Sequence, residues 1–139
     1  MGLSKLYLIG TPLGNVEDIT LRARRLLGEL THLFAEDTRQ MMSLLNHLQI
    51  SVAGKKIHSF SSHNMKEAVD RALRLLHEGE SVGLSTDRGM PGISDPGALL
   101  VRAASEHGFD VIPVPGPSAV TTLYSVSGLS ESAFSFIGF

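Results

Sequence analysis

An α/β three-layer sandwich, in which helices cover both faces of one mostly parallel five-stranded sheet, is the fold class this 139-residue sequence predicts. Three observations predict it. Five short β-rich runs alternate with helical stretches, and such βαβα alternation is the pattern of parallel strands joined by crossover helices. The helical stretches carry apolar residues at three- and four-residue spacing, the mark of a helix laid on a sheet. No repeat, low-complexity segment or long linker interrupts the alternation.

Strands are read at residues 6–9, 33–35, 56–60, 81–85 and 111–114. After the first, Thr20 is placed to cap a helix that carries Ala23, Leu26, Leu27 and Leu30 on one face and tolerates Gly28 at some cost. A second helix is expected over 39–48. The third is the clearest: Met65, Ala68, Val69, Ala72, Leu73, Leu75 and Leu76 form an apolar stripe that stops at Gly79, a C-terminal cap. A fourth runs over 98–107 to Gly108, and a fifth over 118–127 to Gly128. Residues 134–139 read as one more strand or a linker. Because FSFIGF breaks off without a polar tail, residues 1–139 are expected to be the first domain of a longer protein whose C-terminal domain is absent.

Composition narrows the function. A chain of this size buries about two-thirds of its unfolded surface and needs no staple. Without cysteine it has no disulfide, thiolate nucleophile or Cys-based metal site. The six histidines show no HExxH or other ligand spacing, so no metal is expected. The opening apolar run is too short for a signal peptide or a membrane span, so a cytoplasmic protein without a membrane partner is expected. Twelve Lys and Arg against fourteen Asp and Glu provide no global field for nucleic acid. An RNA-binding patch would be local; Arg22, Arg24, Arg25, Arg39, Lys55 and Lys56 are its candidates, with a solvated helix face the plainer account of the first three.

Ligands of open parallel sheets bind outside the carboxyl ends of the strands. Every unusual segment of this chain follows a strand: GTPLGN (10–15), EDTR (36–39), SSHN (61–64), TDRGMPGISDPG (86–97) and PGPSA (115–119). All five fall on one sheet edge. The first lacks the spacing of a dinucleotide loop or a P-loop. The fourth holds three glycines and two prolines, more than one turn requires, and suggests backbone held against a ligand. Ser118 has Val120 where a nucleophile elbow needs glycine, so a helix cap is preferred to a hydrolase serine. Glu36 and Asp37 offer acid–base chemistry, or the cap and ion pair of an ordinary helix start.

The segments LYLIGTPLGNVEDITLRA, AEDTR, GISDPG and VPGPSA, in this order and spacing, resemble the N-terminal half of the tetrapyrrole-methylase superfamily, and within it the branch that methylates cytidine 2′-oxygens of 16S ribosomal RNA. The resemblance covers nearly the whole chain. It implies a two-domain, usually homodimeric enzyme that holds S-adenosylmethionine in the cleft between domains, with small-subunit ribosomal RNA as partner. It places cofactor contacts at Pro12, Leu13, Asp87, Gly89, Met90, Ile93, Ser118 and Ala119. Glu36 is then the candidate for removing the hydroxyl proton, and Arg39, Asn64 and Arg88 are the candidates for holding RNA. Two positions depart from the usual SDAGTPGISDPG: Arg88 stands for alanine and Met90 for threonine. Backbone contacts would tolerate both, and Arg88 would add a phosphate contact. Two other classes stay open: a methyltransferase for a tetrapyrrole or other small molecule, which AEDTR argues against, and a non-catalytic half-site domain.

Overall fold

Residues 3–130 and 132–139 are described by a computed structural model. Five strands, β1 (Lys5–Ile9), β2 (His32–Ala35), β3 (Lys56–Ser59), β4 (Val82–Ser85) and β5 (Asp110–Val114), form one sheet in the order β3-β2-β4-β1-β5. All four pairings are parallel. The helices are α1 (Leu21–Glu29), α2 (Thr38–His47), α3 (Met65–His77), α4 (Gly97–Glu106) and α5 (Ala119–Val126). Each predicted element is present, with ends moved by one or two residues. Residues 134–139 form no strand.

The strand order decides which helix covers which face. From β1 to β2 and on to β3 the chain moves one way across the sheet, then from β3 to β4 and β5 it moves back. Right-handed crossovers therefore put α1 and α2 on one face and α3 and α4 on the other. Two cores result. Leu26, Leu27, Met41 and Leu45 pack against Ile9, Leu33 and Val114 on the first face. Ala68, Ala72, Leu76 and Leu100 pack against Leu6, Phe34 and Leu84 on the second. Fully buried side chains such as Phe34 and Leu27 each contribute on the order of 2 kcal/mol. Gly83 lies at the centre of the sheet, where a Cβ would come within 2.9 Å of Leu33 and 3.0 Å of Leu30, so its bareness lets the end of α1 sit down on β4.

Local chemistry sets the helix ends. The Thr20 hydroxyl accepts from Ala23 N at 3.0 Å to start α1, as its position predicted. Lys55 donates to the Gly28 and Leu30 carbonyls at 2.8 and 2.7 Å, closing the other end of that helix. Gly79, at φ +89°, stops α3. Pro113 sits on edge strand β5, where a missing amide leaves no ladder bond unmade. α5 differs from the other helices, because none of its residues is buried.

Candidate functional site

β4 lies between β2 and β1, whose chains leave toward the α1–α2 face while its own leaves toward α3–α4. Such a reversal opens a crevice at the carboxyl edge. Hydrogen bonds tie the loops around it together. Thr11 N donates to Gly89 O and Gly89 N to Thr11 O, both at 3.0 Å, joining the loops after β1 and β4. The Thr11 hydroxyl adds a bond to Thr86 O at 3.1 Å. Asp37 N donates to Asp87 Oδ1 at 3.1 Å, bringing in the loop after β2. Gly89, at φ +83°, adopts a backbone conformation that side chains resist.

Gly10 and Gly116 close the loops after β1 and β5 on each other. A Cβ at Gly10 would stand 2.7 Å from Gly116 Cα and 2.8 Å from Met90 Sδ. Further along, Asp95 Oδ1 accepts from Gly92 N and Gly97 N at 2.8 Å each, folding GISDPG into a tight turn that delivers α4.

Two cavities flank residues 86–88. The larger, about 430 Å³, lies on the α1–α2 side and is lined by Pro12, Ala35, Met41, Leu44, Ser85 and Asp87, among others. The smaller, about 210 Å³, is lined by Glu36, Gly89, Met90, Ile93, Ser118 and Ala119. Thr86 and Arg88 line both. The edge thus brings together nearly all the residues for which the family resemblance implied a cofactor contact. Leu13 completes the set, its side chain lying against Gly89.

Arg39 and Asn64 stand apart from these cavities. Arg39 is 91% exposed, with Nε 3.4 Å from Asp37. The Asn64 amide is engaged inside its own turn, accepting from Ser61 N at 2.8 Å and donating to Ser59 O at 3.0 Å. The other arginines of the suggested patch are also engaged: Arg22 with Pro113 O, Arg24 with Leu48 O and Arg25 with Glu29.

The adjacent acids separate into two roles. Asp37 caps α2 by accepting from Arg39 N at 2.9 Å, which holds its carboxyl below the usual range. The Glu36 carboxyl is raised above its usual range by burial first, then by the charge and hydrogen bond of Asp87 and by Asp95. Ser118 occupies the capping position of α5 without making the side-chain cap bond. Thr11 and Ser85 were not singled out from the sequence. The signal for Ser85 is a hydroxyl ending the buried run Val-Gly-Leu. Among the described residues, no group of three or more His, Cys, Asp or Glu is placed to hold a metal ion, and no helix is long and apolar enough to cross a membrane.

Comparison with known proteins gives the same picture. The protein named ribosomal RNA small subunit methyltransferase I of Halalkalibacterium halodurans is 47% identical over 134 residues, covering 96% of this chain and 45% of the relative. Its namesake in Thermotoga maritima is 47% identical over 137 residues, covering 99% and 60%. The chain therefore spans about half the length of the relatives it matches. Among solved structures, uroporphyrin-III-C-methyltransferase from Thermus thermophilus superimposes with a TM-score of 0.66 at 24% identity, over 88% of this chain and 52% of that one, a likeness of fold. The family of Tetrapyrrole (Corrin/Porphyrin) Methylases matches residues 5–137, a span that takes in every strand and every loop of the crevice, and the chain belongs to that family.

Proposed function

We propose that this chain is the N-terminal domain of a cytoplasmic, homodimeric methyltransferase that uses S-adenosylmethionine to methylate a cytidine ribose 2′-oxygen in small-subunit ribosomal RNA. The observation that carries this reading is 47% identity, over nearly the whole chain, to proteins named ribosomal RNA small subunit methyltransferase I. A C-terminal domain is assigned the other wall of the cleft.

The smaller cavity, about 210 Å³, suits the methyl-bearing end of this donor. Met90, Ile93 and Ala119 offer apolar surface for a thioether and methyl, while Glu36 and Asp95 supply negative charge for a sulfonium or ammonium. Beneath Met90, the Gly10–Gly116 contact draws two loops together to the width of bare backbone. The bound donor supplies a methyl group on a good leaving group, so the protein's main tasks are positioning and proton removal. Pro12, Leu13, Asp87, Gly89, Ser118 and Ala119 position the donor in this reading. Glu36 accepts the 2′-hydroxyl proton, its raised carboxyl being the better base. Arg88 contacts phosphate, and Arg39 and Asn64 orient RNA at the rim.

The test is methyl transfer by the two-domain protein from labelled cofactor to small-subunit particles. Label on a ribose oxygen is expected. Label confined to a porphyrinoid carbon overturns the reading in favour of tetrapyrrole methylation.

A further inference from the structure

Ser85 has no part in the chemistry assigned above. It ends β4, is 4% exposed, and its Oγ has no hydrogen-bond partner among the described residues. Side chains alternate along a strand. With Leu84 in the α3–α4 core, Ser85 faces the α1–α2 side next to Ala35, its register partner on β2. There it lines the 430 Å³ cavity. A buried hydroxyl without a partner is unfavourable, and a ligand is one way to satisfy it.

The rest of the cavity suits a flat ring with polar edges. Ala35, Met41 and Leu44 provide apolar walls. Gln40 and Arg88 also line it, and neither side chain hydrogen-bonds to the described residues, leaving one amide and one planar cation for a ligand. The volume is within the roughly 300–1,000 Å³ of small-molecule sites. Because Thr86 and Arg88 border both cavities, a nucleotide with its base in the larger would hold its ribose at the shared rim. Glu36 and the smaller cavity lie on the far side of that rim.

We propose that the larger cavity receives the base of the target pyrimidine nucleotide, extruded from the RNA, with Ser85 Oγ and the Gln40 amide bonding its polar edge and Arg88 its phosphate. Enzymes that do chemistry on a base extrude the target nucleotide in this way, and the same extrusion would carry the attached ribose to the rim. The assignment rests on the ribose-methylating reading and adds which side of residues 86–88 each reactant takes.

The experiment uses Ser85→Ala and Gln40→Ala in the two-domain protein, with three readouts: KM for small-subunit particles, affinity for S-adenosylhomocysteine by calorimetry, and Tm without ligand. Ser85→Ala is expected to raise KM about tenfold, the equivalent of one hydrogen bond. It should leave S-adenosylhomocysteine affinity within about twofold and keep or raise Tm, since an unsatisfied group is removed. Gln40→Ala, at an exposed position, should also raise KM with Tm unchanged. Weakened S-adenosylhomocysteine binding with unaltered KM would give the cavity to the donor's adenine and overturn the proposal. A lowered Tm with unaltered KM would make Ser85 structural and also overturn it. A wild type that methylates particles while both variants keep its KM overturns this assignment alone. A wild type with no transfer to RNA overturns the functional reading and this assignment with it.

Discussion

Neighbouring residues of one type do different work here. Asp37 closes a helix turn, while Glu36 is turned toward Asp87 and its carboxyl is raised. If Glu36 is the base, its ionised form is the active one. The rate should then rise with pH through the raised value, and Asp87→Asn should move that rise downward by removing the charge that contributes to it. Glu36→Gln should abolish the rise and lower kcat by about 10²–10⁴-fold, as loss of a general base does. A pH–rate profile in which Glu36→Gln keeps the limb would exclude the assignment. In sequence, EDTR left acid–base chemistry and an ordinary helix start both open, because the partner that distinguishes Glu36 is Asp87, 51 positions along the chain, and only the sheet brings it near. Ser85 was illegible for a similar reason. A serine ending an apolar run is ordinary until the neighbouring strand, its Ala35 partner and the missing hydrogen bond are seen together.

At the level of elements, edge strand β3 depends on a pair of imidazoles. His58 lies 3.0 Å from His32 across the ladder, stacks on Phe34 at 4.5 Å between ring centres, and has Arg71 of α3 at 3.5 Å. Burial, His32, Arg71 and Lys56 depress it to about 4, so at neutral pH it is held uncharged. The sign follows from linkage. Between about 4 and the ordinary 6.5 the unfolded chain binds the extra proton, so stability is complete above 6.5 and falls as the pH drops toward 4. The gap in Tm between wild type and His58→Asn should therefore narrow from pH 7 to pH 4; a gap independent of pH would show that His58 does not titrate this way. The elements themselves were largely legible: the Thr20 cap, the α3 stripe and the glycine stops are local signals, and local signals survive in a sequence. The strand order was not, because parallel neighbours such as β1 and β4 are separated by more than 70 residues and share no local mark.

At the scale of the molecule, apolar surface is unevenly distributed. Leu123, Val126, Leu129, Phe134, Ile137 and Phe139 are each between 50% and 96% exposed, all within or after α5. Single exposed apolar residues are common, but this many in one segment mark a surface built for contact. Under the proposed two-domain reading, this chain alone should bind S-adenosylhomocysteine weakly or not at all by calorimetry, and submicromolar affinity would contradict it. Leu123→Ser and Val126→Ser should change the Tm of this chain little, since surface substitutions usually fall within about 0.5 kcal/mol, yet disturb assembly of the larger protein. The strand order has a consequence in time as well as in space. β1 is made first, but its two neighbours are β4 and β5, the last strands to be made. At roughly 5–20 residues per second, some 4–15 s separate the synthesis of Leu6 from that of Val82, its partner. Through that interval Leu6, Leu8 and Ile9 have no native strand beside them, so the apolar segment that carries the first loop of the crevice waits for the sheet until the last two strands are made.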